Sequence, residues 1–384
     1  MKSVALPQKL KVESSVHPLH LLMVGPKPPP IGGSPLTVQA MLAELAQYPD
    51  VEVTLINTSP MRDVRKKMTG FNFEKVFRSA MIVPQFLAEV RRCDAVVVFA
   101  NDLFAITLVP VLLFMARLFR KPFFLKPVAA SLDMFIDAQK KPLRAYLLAV
   151  LRGTDGILAQ TQRLRHDLSK MGVPNVHYLP GCRPLTPVTE TARQRSGALR
   201  IIYLAHVSRL KGPLYLLEAL RLLKQMCDRE VACDFYGPLH NEIQDEFMQS
   251  LAATPGARYC GVAEAGTGPQ LISQYDLLVL PTYYDTEGHP GVLIEAMLAG
   301  VPVITTNIRT LPELVADGVN GFIVPTQDSA ALAEAICKLA VDPDLQQRMG
   351  EANHRRSREF RADVVVSQML RIVFPDILLV KDPH

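Results

Sequence analysis

The chain has 384 residues, 49% hydrophobic and 21% charged, with 30 prolines and no tryptophan, a balance that excludes a disordered or fibrous protein. That length exceeds what one core normally supports, so two domains of about 150 to 200 residues, with a cleft between them, are expected. The net charge of +5 hides an asymmetry, because residues 1–184 carry 24 basic and 13 acidic side chains (+11) whereas residues 185–384 carry 18 and 24 (−6). A basic half suits an anionic membrane face or an anionic acceptor as well as a merely solvated surface.

Along the chain, short apolar runs alternate with segments of helical period, the pattern of parallel strands joined by crossover helices, so the fold class is α/β. In the first half the expected strands are His20–Val24, Val51–Ile56, Ala95–Phe99, Phe123–Lys126, Gly156–Ala159 and Val176–Leu179. The first runs into a Gly-Pro loop ending in Gly32 and Gly33, ahead of a helix from about Pro35 to Tyr48. Leu103–Ala116 is the longest apolar run, too short to span a bilayer and interrupted by Pro110, and Arg117, Arg120 and Lys121 follow it. A buried or interfacial helix fits it, with those cations among lipid headgroups.

Between Leu179 and Leu199 the periodicity lapses in a Pro, Thr and Arg-containing stretch that reads as an interdomain linker. A second α/β unit follows, with strands expected at Arg200–Leu204, Ala232–Tyr236, Arg258–Cys260, Leu277–Leu280, Val303–Thr305 and Gly321–Val324. Helices are expected at Pro213–Gln225 and Gly291–Ala299, and again after Asp342 with a break near Phe360. The six cysteines form no Cys-x-x-Cys pair or metal-like cluster and are expected to be reduced thiols. The first twenty residues lack an apolar signal region, which leads us to expect a cytoplasmic protein.

Ligands of open α/β sheets gather at the carboxyl ends of the strands, so the loops there are the places to seek chemistry. Residues 281–305, PTYYDTEGHPGVLIEAMLAGVPVIT, combine a strand end, a polar loop, a glycine turn and a helix start. Gly288 and Gly291 let a ligand approach the backbone, and the helix start near Gly291 offers unpaired N–H groups to a phosphate. Glu287 and Glu295 stand at either end of this cradle, the first within reach of a reacting sugar and the second suited to two ribose hydroxyls, unless both are solvated acids. Upstream, the strand ending at Leu204 leads into His206, Arg209 and Lys211-Gly212, cations that suit a diphosphate. Nothing matches a spaced-glycine dinucleotide fingerprint or a Walker loop.

The order Glu287, Gly288, Glu295, Gly300, Pro302, Pro312-Glu313, Asp317-Gly318 and Asn320-Gly321 resembles the signature of glycosyltransferase family 4. The resemblance is strong from Arg200 to about Asp342 and weaker before it. It implies two Rossmann-like domains facing across a cleft (GT-B), an N-terminal acceptor-side domain over residues 1–182 with a crossover helix at about 360–384, and a nucleotide-sugar domain over 183–359. By that resemblance Glu287 positions the transferred sugar and stabilises the transition state with Lys211 as a catalytic cation, and Arg209, beside the arginine slot, is the candidate for the second cation. Donor binding falls to Gly32, Gly33, His206, Arg209, Lys211, Gly288, His289, Pro290, Gly291, Val292 and Glu295, and His289 is a candidate donor to a phosphate oxygen.

Three departures stand out, the first in the turn itself, where many members carry Gly-Phe-Gly-Leu-Pro and this chain has Gly288-His289-Pro290-Gly291-Val292. The family's usual arginine, five residues before the lysine, is His206 here, and in the region of its His-Gly after the strand Phe123–Lys126 stand Val128, Ala129, Ala130 and Ser131, with no histidine. Ser131 and Asp133 are therefore the acceptor-side candidates. The implied function is retaining transfer of a hexosyl group from a nucleoside diphosphate sugar to a glycan or lipid-linked acceptor, in polysaccharide or glycolipid biosynthesis. The resemblance also implies transfer without a bound metal or cofactor, no nucleic-acid partner is expected, and attachment to the inner membrane face is an added expectation. A nucleotide-sugar epimerase and a non-catalytic donor-binding protein are the alternatives, separated by looking for an isomerised sugar and for binding without turnover.

Overall fold

The computed structural model describes residues 18–29, 32–59, 73–184, 197–264 and 266–376, with the side chains of 73–80 left out. Two parallel sheets carry it. The first comprises β1 (Leu19–Gly25), β2 (Val51–Asn57), β3 (Ala95–Ala100), β4 (Phe123–Pro127), β5 (Gly156–Ala159) and β6 (Val176–Tyr178), in the order β2-β1-β3-β4-β5-β6. The second comprises β7 (Leu199–Leu204), β8 (Val231–Tyr236), β9 (Ala257–Tyr259), β10 (Leu277–Leu280), β11 (Val303–Thr306) and β12 (Gly321–Val324), in the order β12-β11-β10-β7-β8-β9. Every strand expected from sequence is present to within one residue at each end.

Helices cover both faces of each sheet. In the first half they are α1 (Gly33–Leu45), α2 (Phe73–Glu89), α3 (Asp102–Thr107), α4 (Val109–Leu118), α5 (Leu132–Asp137), α6 (Lys141–Arg152) and α7 (Gln162–Lys170). Then come α8 (Pro213–Met226), α9 (Gln244–Ala252), α10 (Gly268–Ile272), α11 (Gly291–Leu298), α12 (Ser329–Val341), α13 (Pro343–Ser357) and α14 (Ala362–Val373). Burial on both faces explains why the central strands read as unbroken apolar runs rather than alternating ones, since β3, β10 and β11 are buried along their whole length.

One face of the first sheet packs Leu22, Val96 and Val98 against Leu112 of α4 and Leu148 of α6. The opposite face packs Leu21, Met23 and Val97 against Met41 of α1 and against Val366 and Met369 of α14. The last described helix, α14, thus returns to the first lobe, after a 3-10 turn at Arg358–Phe360 where the sequence had indicated a break. The second lobe has a core of its own.

The long apolar run forms two helices instead of one. Asn101 caps α3 by accepting the Phe104 N–H at 2.9 Å, and the helix ends at Leu108 because Pro110 has no N–H with which to continue the ladder. Pro110 instead occupies the first turn of α4, where that N–H is not needed. Residues 185–196 of the linker, and Arg62, Arg65, Lys66 and Lys67 of the basic half, lie outside the described residues.

Candidate donor site between the two lobes

In the second sheet the strand order reverses between β7 and β10, and in the first between β1 and β3; such switch points open a crevice at the carboxyl ends of the strands. The two crevices face each other across a cavity of about 500 Å³, lined from both lobes. The loop after β7 is pinned to the end of β10 at Gly212. Its φ is +72°, and a Cβ there would stand 2.1 Å from the Pro281 carbonyl oxygen, so only glycine fits.

That closeness brings Lys211 against the loop after β10, where its ammonium forms an ion pair with Glu287 and lies 5.3 Å from the centre of the Tyr284 ring. The pair is largely removed from water, with the lysine and glutamate side chains 20% and 10% exposed. The Thr282 hydroxyl donates to the same carboxylate oxygen at 3.2 Å, fixing its orientation.

Four residues on, α11 begins at Gly291 with no side chain capping it, so its first N–H groups are open toward the cavity. Glu295 lines the cavity from the first turns of this helix. Its partner is Arg183, whose Nε donates to Oε1 at 2.7 Å. From the first lobe, α1 presents a second uncapped start at Gly32 and Gly33, and a Cβ added at Gly33 would meet nothing within 4 Å.

Lys126, at the end of β4, is 3% exposed and donates to the Leu179 carbonyl at 2.7 Å. Burial pulls its ammonium down to about 8. It lines the cavity with Val128, two positions on along the same run. Among the described residues, Arg183 and Lys126 are the two cleft cations that the sequence did not bring forward. A lysine inside the apolar run Phe123-Phe124-Leu125 was a visible signal for the second, whereas Arg183 had none.

His206 and Lys211 line the cavity as expected, together with Gly288, Pro290 and Val292. Burial and the nearby His240, whose Nε2 lies 3.0 Å from His206 Nδ1, hold the His206 imidazole below its usual value, so it supplies no fixed charge at neutral pH. Arg209 is elsewhere. Its guanidinium is half exposed and bonded to Glu246 at 2.6 Å, because the 3-10 turn Arg209–Lys211 directs these side chains apart.

The backbone of His289 borders the cavity, but its ring is fully enclosed between the lobes, with Nε2 3.3 Å from Glu313 Oε2. Burial pushes its pKa down, against a smaller opposing pull from Glu313, which favours the neutral ring, and the enclosure of that ring leaves it out of reach of a phosphate in the cavity. The acceptor-side candidates are displaced too. Ser131 donates to Asp102 at 3.2 Å and Asp133 pairs with Arg309 at 2.5 Å, and the cavity is lined at this point by Val128 and Ala129 instead. Asp133 is consumed by an ion pair between the lobes.

A second such contact explains the Pro312-Glu313 pair: the Glu313 carboxylate accepts the Gln162 and Arg163 N–H groups at 2.7 and 2.9 Å, satisfying the start of α7 from the opposite lobe. Asn320 is likewise structural, its amide donating to Asn353 Oδ1 at 2.8 Å and to the Leu314 carbonyl at 3.1 Å in the core of the second lobe.

Two parallel-sheet α/β lobes meeting at their strand ends define the GT-B class of glycosyltransferase folds. Residues 190–356 match the family model of glycosyl transferases group 1. Among curated relatives, the D-inositol 3-phosphate glycosyltransferase of Streptomyces avermitilis is 32% identical over 189 residues, 46% of this chain and 40% of that protein. The putative colanic acid biosynthesis glycosyltransferase WcaL of Escherichia coli is 28% identical over 221 residues, 54% of this chain and 50% of that one. The chain thus spans half or less of these relatives' lengths. Anabaena HepE, solved in complex with UDP, shares the fold at a TM-score of 0.67 and 17% identity, covering 92% of this chain and 99% of its own.

Proposed function

We propose that the protein is a retaining glycosyltransferase that moves a hexosyl group from a nucleoside diphosphate sugar to a glycan or lipid-linked acceptor, in polysaccharide or glycolipid biosynthesis. The observation that carries this reading is the Lys211–Glu287 pair beside the open N-terminus of α11. A departing diphosphate gathers charge as its bond to the sugar breaks, and a fixed cation with a row of N–H groups stabilises that charge. As the phosphates draw on Lys211, the Glu287 carboxylate becomes available to the sugar. Glu295 is assigned to the ribose, and no step is routed through a metal. The UDP in HepE and the pathway named for WcaL support a nucleotide-sugar donor and a polysaccharide setting.

Thermal denaturation with ADP, GDP, UDP and dTDP tests the donor site. One of them, at about a hundred times its Kd, is expected to stabilise the native state by about 2.7 kcal/mol. Stabilisation by none of the four would sink the reading. Incubation of the matching donor alone, with no isomerised sugar appearing, separates transfer from epimerisation.

Attachment to an anionic membrane face belongs to the same proposal. No described helix is long and apolar enough to cross a bilayer, but the flank of the first lobe exposes Leu103 on α3 and Val111, Phe114 and Leu118 on α4. The three on α4 follow helical spacing and share one stripe. Basic residues border its end: Arg120 and Lys121 follow it directly, and Arg91 lies 5.0 Å from the centre of the Phe119 ring. The neighbouring Asp155 is occupied, with Arg117 at 3.3 Å and the Phe123 N–H at 2.8 Å. In cosedimentation, binding to anionic vesicles is expected to fall steeply with ionic strength and to be lost in Phe114→Glu/Leu118→Glu. A protein left in the supernatant at low salt with the most anionic vesicles would overturn the attachment.

A further inference from the structure

Arg183 stands where the two lobes are joined. Its backbone N–H donates to the Phe360 carbonyl at 3.0 Å and its carbonyl accepts the Ala362 N–H at 3.0 Å, so the outgoing and returning crossovers pair at this residue. The side chain, on a residue only 5% exposed, reaches into both halves of the donor site. Nε bonds Glu295 Oε1 of α11, and one terminal nitrogen donates to the Thr37 hydroxyl of α1 at 3.1 Å and to the Cys182 carbonyl at 3.0 Å. The other terminal nitrogen lies over the start of α11, where a Cβ added to Gly291 would come within 1.5 Å of it. On the far side of the same carboxylate, a Cβ added to Gly268 would stand 2.1 Å from Glu295 Oε2. The Glu295 carboxylate is therefore wedged between α10 and the guanidinium, in one orientation.

We propose that Arg183 is a positioning residue that sets the protein's preference for a ribose-bearing donor, by holding Glu295 and tying its orientation to the α1 wall of the opposite lobe. The inference rests on the assignment of Glu295 to the ribose. Two physical effects support it. A carboxylate that must meet two hydroxyls gains selectivity only if its own rotamers are already fixed. A bare carboxylate beside a diphosphate would also repel it, and a buried guanidinium removes most of that repulsion. The fork geometry matters, because one Arg183 side chain serves Glu295, Thr37 and Cys182 at once, which a lysine cannot reproduce.

The test is calorimetry with whichever of ADP, GDP and UDP binds best, set against its 2′-deoxy form. The intact protein is expected to favour the ribose form by about tenfold or more, the range of a charge-assisted hydrogen bond, and Glu295→Ala to abolish the preference. Arg183→Ala is expected to reduce the preference below about threefold, with Arg183→Lys recovering only part of it. A purely structural role at the hinge would weaken both ligands by the same factor and leave the ratio intact, and that result overturns the proposal. Should Arg183→Ala fail to fold, Arg183→Lys and Arg183→Gln carry the comparison, and a native ratio in either one overturns it equally. An intact protein that binds both forms alike removes the ribose assignment and this inference with it, leaving the donor site standing. One that binds no nucleoside diphosphate sinks the transferase reading itself.

Discussion

Glu287→Gln is expected to lower kcat for sugar transfer by on the order of a hundredfold or more while leaving nucleoside diphosphate affinity unchanged or slightly improved. The substitution keeps the shape of the side chain and its bond from Thr282 but removes the charge facing Lys211. In the native protein Lys211 divides its attraction between Glu287 and any bound phosphate. Removing the carboxylate's charge frees the cation for the phosphate, so binding does not suffer, whereas any stabilisation of positive charge developing on the sugar is lost. Steady-state kinetics with a verified acceptor, alongside calorimetry with the diphosphate, separates the two effects. Native kcat in this variant would remove Glu287 from the reaction.

Lys211→Ala is expected to raise the Kd for the nucleoside diphosphate by about tenfold to a hundredfold, the worth of a charge-assisted contact of about 1.5 to 3 kcal/mol. Arg209→Ala should leave it nearly unchanged. In sequence the two lie two residues apart, Lys211 on the lysine position of the family pattern and Arg209 as a neighbouring candidate for the missing arginine. Their surroundings separate them: Lys211 faces the cavity over Tyr284, while Arg209 is half exposed and bonded to Glu246, a surface pair that contributes little. Truncating Lys211 also strands the Glu287 carboxylate in a poorly solvated place, so transfer should fall with binding. Equal, native affinity in both variants by calorimetry would refute the assignment.

The α/β class and the strand positions were legible because apolar runs bounded by turn residues are a local property, and a strand covered on both faces leaves that mark whatever its neighbours are. The glycine turn that lines the cleft was legible for a similar reason. Glu287, Gly288, Gly291 and Glu295 lie close together in sequence, on a loop and the helix it starts, so short-range geometry already brings them to one place. The identity of Gly212 could also be rationalised locally, as the left-handed residue that closes a 3-10 turn ahead of Pro213.

Tertiary structure decided what lies between the lobes. Arg183 looks like an ordinary linker residue until the returning crossover pairs with it and α11 brings Glu295 to its guanidinium, 112 positions along the chain. Asp133 and His289 read as ligands for substrate because their types and neighbourhoods suit that role, yet each meets a partner from a distant segment, Arg309 and Glu313, and is withdrawn from the cavity. Side-chain direction in a loop has no sequence period, unlike that in a helix or strand, so spacing could favour Lys211 but could not say whether Arg209 also faces the cleft, which packing decided. The sequence by itself determined the two sheets, the glycine-rich turn of the cleft and the basic character of the first half. Which charges face a substrate and which hold the lobes together was decided by the closing of one sheet's strand ends upon the other's, where a buried charge must find a partner or a ligand.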